Sequence, residues 1–198
     1  MNINNLLFIA AGYLCGAIPV AYVVGKQRGI DIRTIGSGNV GATNALRSMG
    51  TSAGAMVLLL DIAKVLVVLV VGQLLQLSRE VLLLGGLAAF LGHIWPVYLK
   101  FKGGKGVAVA AGILMFFFPL PGLISITLFV VVAALTRYVS LASLSAAISV
   151  PLLLPVFNYH NLEVAYTGAI VMLIVWGHRA NIVRLIQGNE NKLSFRRG

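Results

Sequence analysis

VAVAAGILMFFFPLPGLISITLFVVVAAL, residues Val107 to Leu135, is the stretch whose reading decides how this chain folds. It carries no charge along its 29 residues. As one helix it would extend ~43 Å, and a hydrocarbon core is only ~30 Å thick, so it would need strong tilt to fit. As two short helices it would turn at Pro119-Leu120-Pro121-Gly122, where two prolines and a glycine oppose a continuous helix. The choice sets the side of the membrane on which all later residues lie.

Working outward, the whole chain has membrane composition. Of its 198 residues 59% are hydrophobic and 10% charged, with a mean hydropathy of +0.96. A soluble domain is nearer half apolar and a quarter charged. The other apolar runs are Leu6–Val24, Ala53–Leu77, Val81–Leu99, Val139–Phe157 and Val164–Gly177. They are interleaved with polar loops along the whole length, without a linker or a repeat of fixed period. The expectation is an all-α, polytopic integral membrane bundle forming one domain over residues 1–198. Pro19, Gly12 and Gly16 in the first run suggest close packing against neighbours. No Lys or Arg precedes Lys26, so the amino terminus does not read as a secretory signal. Cys15 is the only cysteine and reads as packing.

Charge arbitrates the opening question. With the break there are seven transmembrane helices. Four basic residues in Gly25–Thr51, three in Lys100–Lys105, Arg137, and five from Arg179 to the carboxyl terminus then share one side. Arg79, with Glu80 and Glu163, lies on the other. The positive-inside rule favours this arrangement, with the amino terminus outside and the carboxyl terminus in the cytoplasm. His160 and Glu163 read as solvated residues of an outer loop.

Three polar segments then face the cytoplasm. In GSGNVGATNALR, Gly36–Arg47, three glycines alternate with Ser37, Asn39, Thr43 and Asn44, and Arg47 closes the run. Glycines permit tight turns, the neutral side chains offer hydrogen bonds, and arginine offers a fork for phosphate oxygens. The plainer alternative is a turn in which Thr43 or Asn44 caps a helix running from Ala45. GHIWPVYLKFKGGKGVA, Gly92–Ala108, holds His93, Lys100, Lys102 and Lys105 with Gly103, Gly104 and Gly106, and no acid. It suits a phosphate at a membrane surface, against the alternative of border lysines and an interfacial histidine. HRANIVRLIQGNE, His178–Glu190, places His178 and Asn181 on one helical face with Ile182, Leu185 and Ile186 opposite, as in a helix lying along the membrane. Asp61 and Lys64, three apart in the second span, read as a structural ion pair.

Several chemistries are missing from the pattern. No histidine has an acid five residues later, no Gly-x-Ser-x-Gly elbow occurs, and no Cys/His cluster has metal spacing. Asp31 and Glu190 are the cytoplasmic acids, too few for a magnesium site. The expectation is no metal, no cofactor and no nucleic-acid partner. A site rich in donors and poor in bases suits substrates that bring their own negative charge and a good leaving group. A transporter or flippase for a phosphorylated solute or lipid is the competing class, and it would place polar groups near the midplane within inverted repeats. A lipid-binding scaffold is a third and weaker alternative.

In order and spacing, the three segments resemble the signature motifs of the bacterial acyl-phosphate-dependent glycerol-3-phosphate acyltransferases, the PlsY family. Val40 departs from the proline often expected there. The resemblance implies a multi-pass enzyme of the bacterial inner membrane with its active site facing the cytoplasm. It implies acyl transfer from a fatty acyl phosphate to the 1-hydroxyl of sn-glycerol 3-phosphate, giving lysophosphatidic acid and phosphate. A soluble enzyme that makes acyl phosphate is the implied partner, alongside membrane lipid. Carried onto this sequence, the implied catalytic residues are Ser37, His93, His178 and Asn181. The implied substrate-binding residues are Gly36, Gly38, Asn39, Gly41, Thr43, Asn44, Arg47, Lys102, Gly103, Gly104, Lys105, Gly106 and Arg179.

Overall fold

The structure, a computed structural model, describes residues 1–193. Arg196 and Arg197, counted above in the basic tail, lie outside the described residues. Among the described residues the regular structure is helical throughout. The α-helices are α1 Ile3–Ala17, α2 Val20–Gln27, α3 Ala42–Met49, α4 Thr51–Leu74, α5 Arg79–Ile94, α6 Val107–Phe117, α7 Pro119–Thr136, α8 Val139–Val156, α9 Asn161–Gly177 and α10 Arg179–Ile186. A single 3-10 turn, Val97–Leu99, follows α5. The chain forms two compact units, Met1–Phe116 and Phe117–Gly198.

Among the described residues, five stretches are long and apolar enough to cross a membrane: Ile3–Gln27, Thr51–Leu74, Arg79–Leu99, Pro119–Thr136 and Val139–Val156. Counting α9 and α10 as one span bent by 61° makes six. α6 has 11 residues, ~16 Å of helix, which is short of a ~30 Å core. Many large apolar side chains on these helices point outward, among them Leu59, Val67, Leu74, Leu135, Leu152 and Met172. Such surfaces suit lipid, because each helix satisfies its own backbone polar groups.

The break in Val107–Leu135 exists, but it falls at Phe118 rather than within Pro119–Gly122. Pro119 opens α7 and Pro121 sits in its first turn. The first N–H groups of a helix have no intrahelical partner, so proline loses nothing there and its fixed φ suits the start. Two prolines therefore begin a helix here instead of forming the turn.

In unit 1, α1 ends at Ile18 because Pro19 cannot continue it, and α2 follows within the same 25-residue span. α1 packs on α5 through small residues: a Cβ on Gly16 would overlap the Ala89 carbonyl, and one on Gly12 would come within 2.8 Å of Gly85 O. Lipid tails are as apolar as leucine, so close backbone approach is what holds such helices together. α6 packs on α4, where Gly112 faces Val65 and Ile62. A core of Val20, Ala21, Val24, Ile32, Val40, Ala45, Ala53, Val57 and Leu99 joins α2, α3, α4 and the 3-10 turn. It anchors both polar loops of this unit.

In unit 2, α7 packs on α8, α8 on α9, and α10 on both α8 and α9. Ser125 Oγ and Ser149 Oγ bond across α7 and α8 at 2.9 Å. Glu163 is buried rather than solvated: its Oε2 accepts the His160 N–H at 2.9 Å and completes a capping box at the start of α9.

Candidate functional site

The first polar loop is built around Asn44, which is 1% exposed. Its Nδ2 donates to Ile32 O at 3.0 Å and Ile35 O at 3.1 Å, and its Oδ1 accepts the Ser37 N–H at 2.9 Å. One amide thus clamps both ends of the turn at Gly36, whose φ of +63° favours glycine. Gly38 has φ +69°. Val40 anchors the loop in the core at 5% exposure. α3 starts at Ala42, three residues before the helix expected from Ala45, with Gly41 as its N-cap and no side-chain cap. Neither Thr43 nor Asn44 caps it, because Asn44 is already committed to the loop. Ser37 and Arg47 are exposed, and Asn39 and Thr43 half-buried. Arg33, also in this loop, forks onto Asp31 through Nε–Oδ1 at 3.0 Å and Nη2–Oδ2 at 2.7 Å. Those bonds pull the Asp31 carboxyl down to about 2.

The second loop folds back onto the end of α5. Gly103 N–H donates to Ile94 O and Gly104 N–H to His93 O, each at 3.1 Å. His93 is 8% exposed. Its Nε2 lies against the bare face of Gly104, and a Cβ there would overlap it. The same Cβ would sit 2.9 Å from the Val40 carbonyl, so the two loops meet at Gly104. Gly106 has φ +82° and lies under the Phe90 ring. Lys100 and Lys102 are exposed, whereas Lys105 is half-buried.

Beneath His93 lies the pair Asp61–Lys64, 2% and 7% exposed. Lys64 Nζ is 2.8 Å from Asp61 Oδ1, a close ion pair without the alignment of a hydrogen bond. Lys64 Nζ also donates to Ile18 O at 3.1 Å, the carbonyl at the Pro19 break, and lies 3.0 Å from His93 Nδ1. His93 Nδ1 is 3.6 Å from Asp61 Oδ1. The expected ion pair is present, and its contact with His93 was not visible in the sequence.

In unit 2 the 61° bend between α9 and α10 falls at His178, which ends one helix and begins the next. His178 is 3% exposed, and its Nδ1 lies 2.8 Å from Ile174 O. A carbonyl only accepts, so Nδ1 carries the proton, and in the neutral ring Nε2 holds a lone pair. Asn181, also buried, donates from Nδ2 to Glu190 Oε1 at 2.7 Å. Glu190 further accepts Ser140 Oγ at 3.0 Å and Arg184 Nε at 2.8 Å. Arg179 lies outside this network: its guanidinium stacks 4.4 Å over the Trp176 ring and donates to Trp176 O at 3.1 Å. Glu190, which the sequence analysis counted only as a cytoplasmic acid, is the centre of this network. Its signal was an acid standing alone in a basic tail, nine residues after Asn181.

Burial opposes the charge on Glu190, but hydrogen bonds from Asn181, Arg184 and Ser140 outweigh it and hold its pKa below the ordinary 4.5. A lowered folded value gives stability that is present above pH 4.5 and lost as pH falls through the folded pKa. Glu190→Gln is therefore expected to cost ~1–3 kcal/mol near neutral pH and to flatten the pH dependence of melting in the acid range. Melting curves of the detergent-solubilised protein against pH check this; parallel curves for both proteins would refute it.

Among the described residues no three His, Cys, Asp or Glu side chains converge to hold a metal ion. What the structure concentrates instead is N–H and O–H donors around two buried histidines, His93 in unit 1 and His178 in unit 2.

Comparison with known proteins shows the family. A family model described as glycerol-3-phosphate acyltransferase matches residues 6–188. A glycerol-3-phosphate acyltransferase of Endomicrobium trichonymphae is 43% identical over 190 residues, 96% of each chain. That of Geobacter sulfurreducens is 41% identical over 190 residues, 96% of this chain and 98% of its own. The crystal structure of PlsY, described as an integral membrane glycerol 3-phosphate acyltransferase, superposes in its glycerol 3-phosphate form with a TM-score of 0.91 at 39% identity, covering 96% of each chain. Its lysophosphatidic acid form gives 0.89 at 38% identity, covering 97% of this chain and 96% of that one.

Proposed function

This chain belongs to the glycerol-3-phosphate acyltransferase family, and from that premise we propose that it transfers a fatty acyl group from an acyl phosphate to the 1-hydroxyl of sn-glycerol 3-phosphate. The hydroxyl oxygen attacks the acyl carbon, the bond from that carbon to the phosphate oxygen breaks, and inorganic phosphate leaves with 1-acyl-glycerol 3-phosphate as the other product. The hydroxyl proton goes to His178 Nε2 or to a substrate phosphate. The observation that carries this reading is the meeting of the two glycine loops at Gly104, beside His93 Nε2. Two phosphates need a concavity of backbone and side-chain donors, and an acyl phosphate, a mixed anhydride, needs no covalent nucleophile.

The proposed roles rest on the chemistry of each residue and on the family resemblance. Ser37, with the backbone of Gly36, Gly38, Asn39, Gly41 and Thr43, holds one phosphate, and Asn44 keeps that loop in shape. Arg47 and Lys105 hold the glycerol phosphate, with Lys102 and Gly103–Gly106 at the same loop. His93 donates to developing negative charge, His178 and Asn181 orient the hydroxyl, and Arg179 lies at the substrate's edge. The chain crosses the bacterial inner membrane seven times, α6 being the short span, with the amino terminus outside and these residues facing the cytoplasm. Acyl phosphate arrives from the soluble enzyme that makes it.

The first test measures phosphate release by the purified protein given palmitoyl phosphate and glycerol 3-phosphate, with palmitoyl-CoA as the control donor. Release that requires both substrates and fails with the thioester is expected. Equal use of the thioester would refute the acyl-phosphate donor, and no transfer from monodisperse protein would turn attention to transport. A second test compares two lysines of one loop. Lys105→Ala is expected to lower kcat/KM for glycerol 3-phosphate ~10–100-fold, the loss of a charge-assisted contact, and the exposed Lys100→Ala less than ~3-fold. Equal effects would remove Lys105 from the phosphate site.

A further inference from the structure

We infer that Lys64, held by Asp61, is a positioning residue that fixes His93 as the tautomer protonated at Nε2. A lysine ammonium has three N–H donors and no acceptor. Three acceptors surround Lys64 Nζ: Asp61 Oδ1 at 2.8 Å, Ile18 O at 3.1 Å and His93 Nδ1 at 3.0 Å. Ile18 O and His93 Nδ1 are hydrogen-bond partners of the ammonium and Asp61 Oδ1 is its close ion partner, so Lys64 is engaged by groups of this chain. Two groups face Nδ1: the ammonium at 3.0 Å, which only donates, and Asp61 Oδ1 at 3.6 Å, beyond hydrogen-bond distance and paired with Lys64. The nearer contact requires the Nδ1 lone pair, and the proton of the neutral imidazole then resides on Nε2. The opposite tautomer would set an N–H against an ammonium in a buried site, which forfeits a charge-assisted bond and leaves a donor unsatisfied.

The other end of the ring gives this choice a consequence. Nε2 lies against Gly104, where the two loops meet. A fixed Nε2–H makes His93 a permanent donor at that point, suited to a phosphate or carbonyl oxygen and unable in this form to take a proton there. The cost of the arrangement supports it. A lysine within a membrane span is costly, and a neutral side chain would be a cheaper partner for the Ile18 carbonyl. A neutral hydroxyl, able to donate or accept, would leave the His93 tautomer undecided.

The kinetic part of the test rests on the acyl-transfer reading, and the spectroscopic part does not. Protein labelled with 15N in its histidine rings is examined by long-range 1H–15N correlation in detergent, with His93→Gln assigning the signals. The wild type is expected to show His93 Nδ1 unprotonated and Nε2 protonated. The paired variant Asp61→Asn with Lys64→Met removes both charges together, so neither is left buried alone. It is expected to show a mixture of tautomers and a ~10–100-fold lower kcat, with KM for glycerol 3-phosphate nearly unchanged. Lys64→Arg, which keeps a cationic donor, is expected to retain the wild-type tautomer. A proton on Nδ1 in the wild type overturns the inference even if the paired variant fails to fold. An unchanged tautomer or an unchanged kcat in the folded paired variant overturns it as well. The expected tautomer in a protein without transferase activity would uphold the inference and sink the proposed reaction.

Discussion

Gly104→Ala is expected to lower acyl transfer by at least ~100-fold while leaving the protein folded and monodisperse. The added methyl would overlap His93 Nε2 and sit 2.9 Å from the Val40 carbonyl, closer than a Cβ tolerates. Neither neighbour can easily yield. His93 is pinned at Nδ1 by Lys64, and Val40 is seated in the core. Gly104 cannot withdraw either, because its N–H holds His93 O and the Gly103 N–H holds Ile94 O. The loop must therefore open, and a shift of ~1 Å in a positioned donor is enough to cost two orders of magnitude. Gly168→Ala is the matched control. It lies within α9 with nothing within 4 Å of an added Cβ, and helix propensity favours the change by ~0.5–1 kcal/mol. Phosphate release and melting temperature are measured for both. Full activity in Gly104→Ala would mean that the meeting of the two loops is not where the chemistry occurs.

His178 carries the second large effect. In the proposed reaction, with Nδ1–H committed to Ile174 O, Nε2 of His178 is one of the two candidates for the hydroxyl proton, a substrate phosphate being the other. His178→Asn keeps an N–H near the Nδ1 position, so the bend between α9 and α10 retains its bond, but offers nothing at Nε2. Removing a general base typically costs 10²–10⁴-fold, so kcat is expected to fall by ~10²–10⁴ with melting little changed. A variant within ~3-fold of the wild type would assign the proton to a substrate phosphate and leave His178 with the bend alone.

The fold was legible where it depends on local pattern. Apolar run lengths located the helices to within a few residues, and the small residues Gly12 and Gly16 marked the face that α5 occupies. The position of the break in Val107–Leu135 was not legible, because proline both ends a helix and begins one, and the flanking residues do not say which. Asp61 and Lys64 were legible as a pair because i,i+3 neighbours share a helix face. Their bond to His93 joins residues 29 apart in sequence and needs α4 and α5 side by side.

By itself the sequence determined the membrane class, the three polar segments and the residue types suited to phosphate, since these rest on composition, periodicity and the chemistry of single side chains. Only the tertiary structure decided that Val40 and His93 meet at Gly104, that Lys64 lies against His93 Nδ1 and that Glu190 holds Asn181. A hydrogen bond is set by distance and angle at its two ends, and for residues far apart in the chain those are fixed by helix packing rather than by spacing.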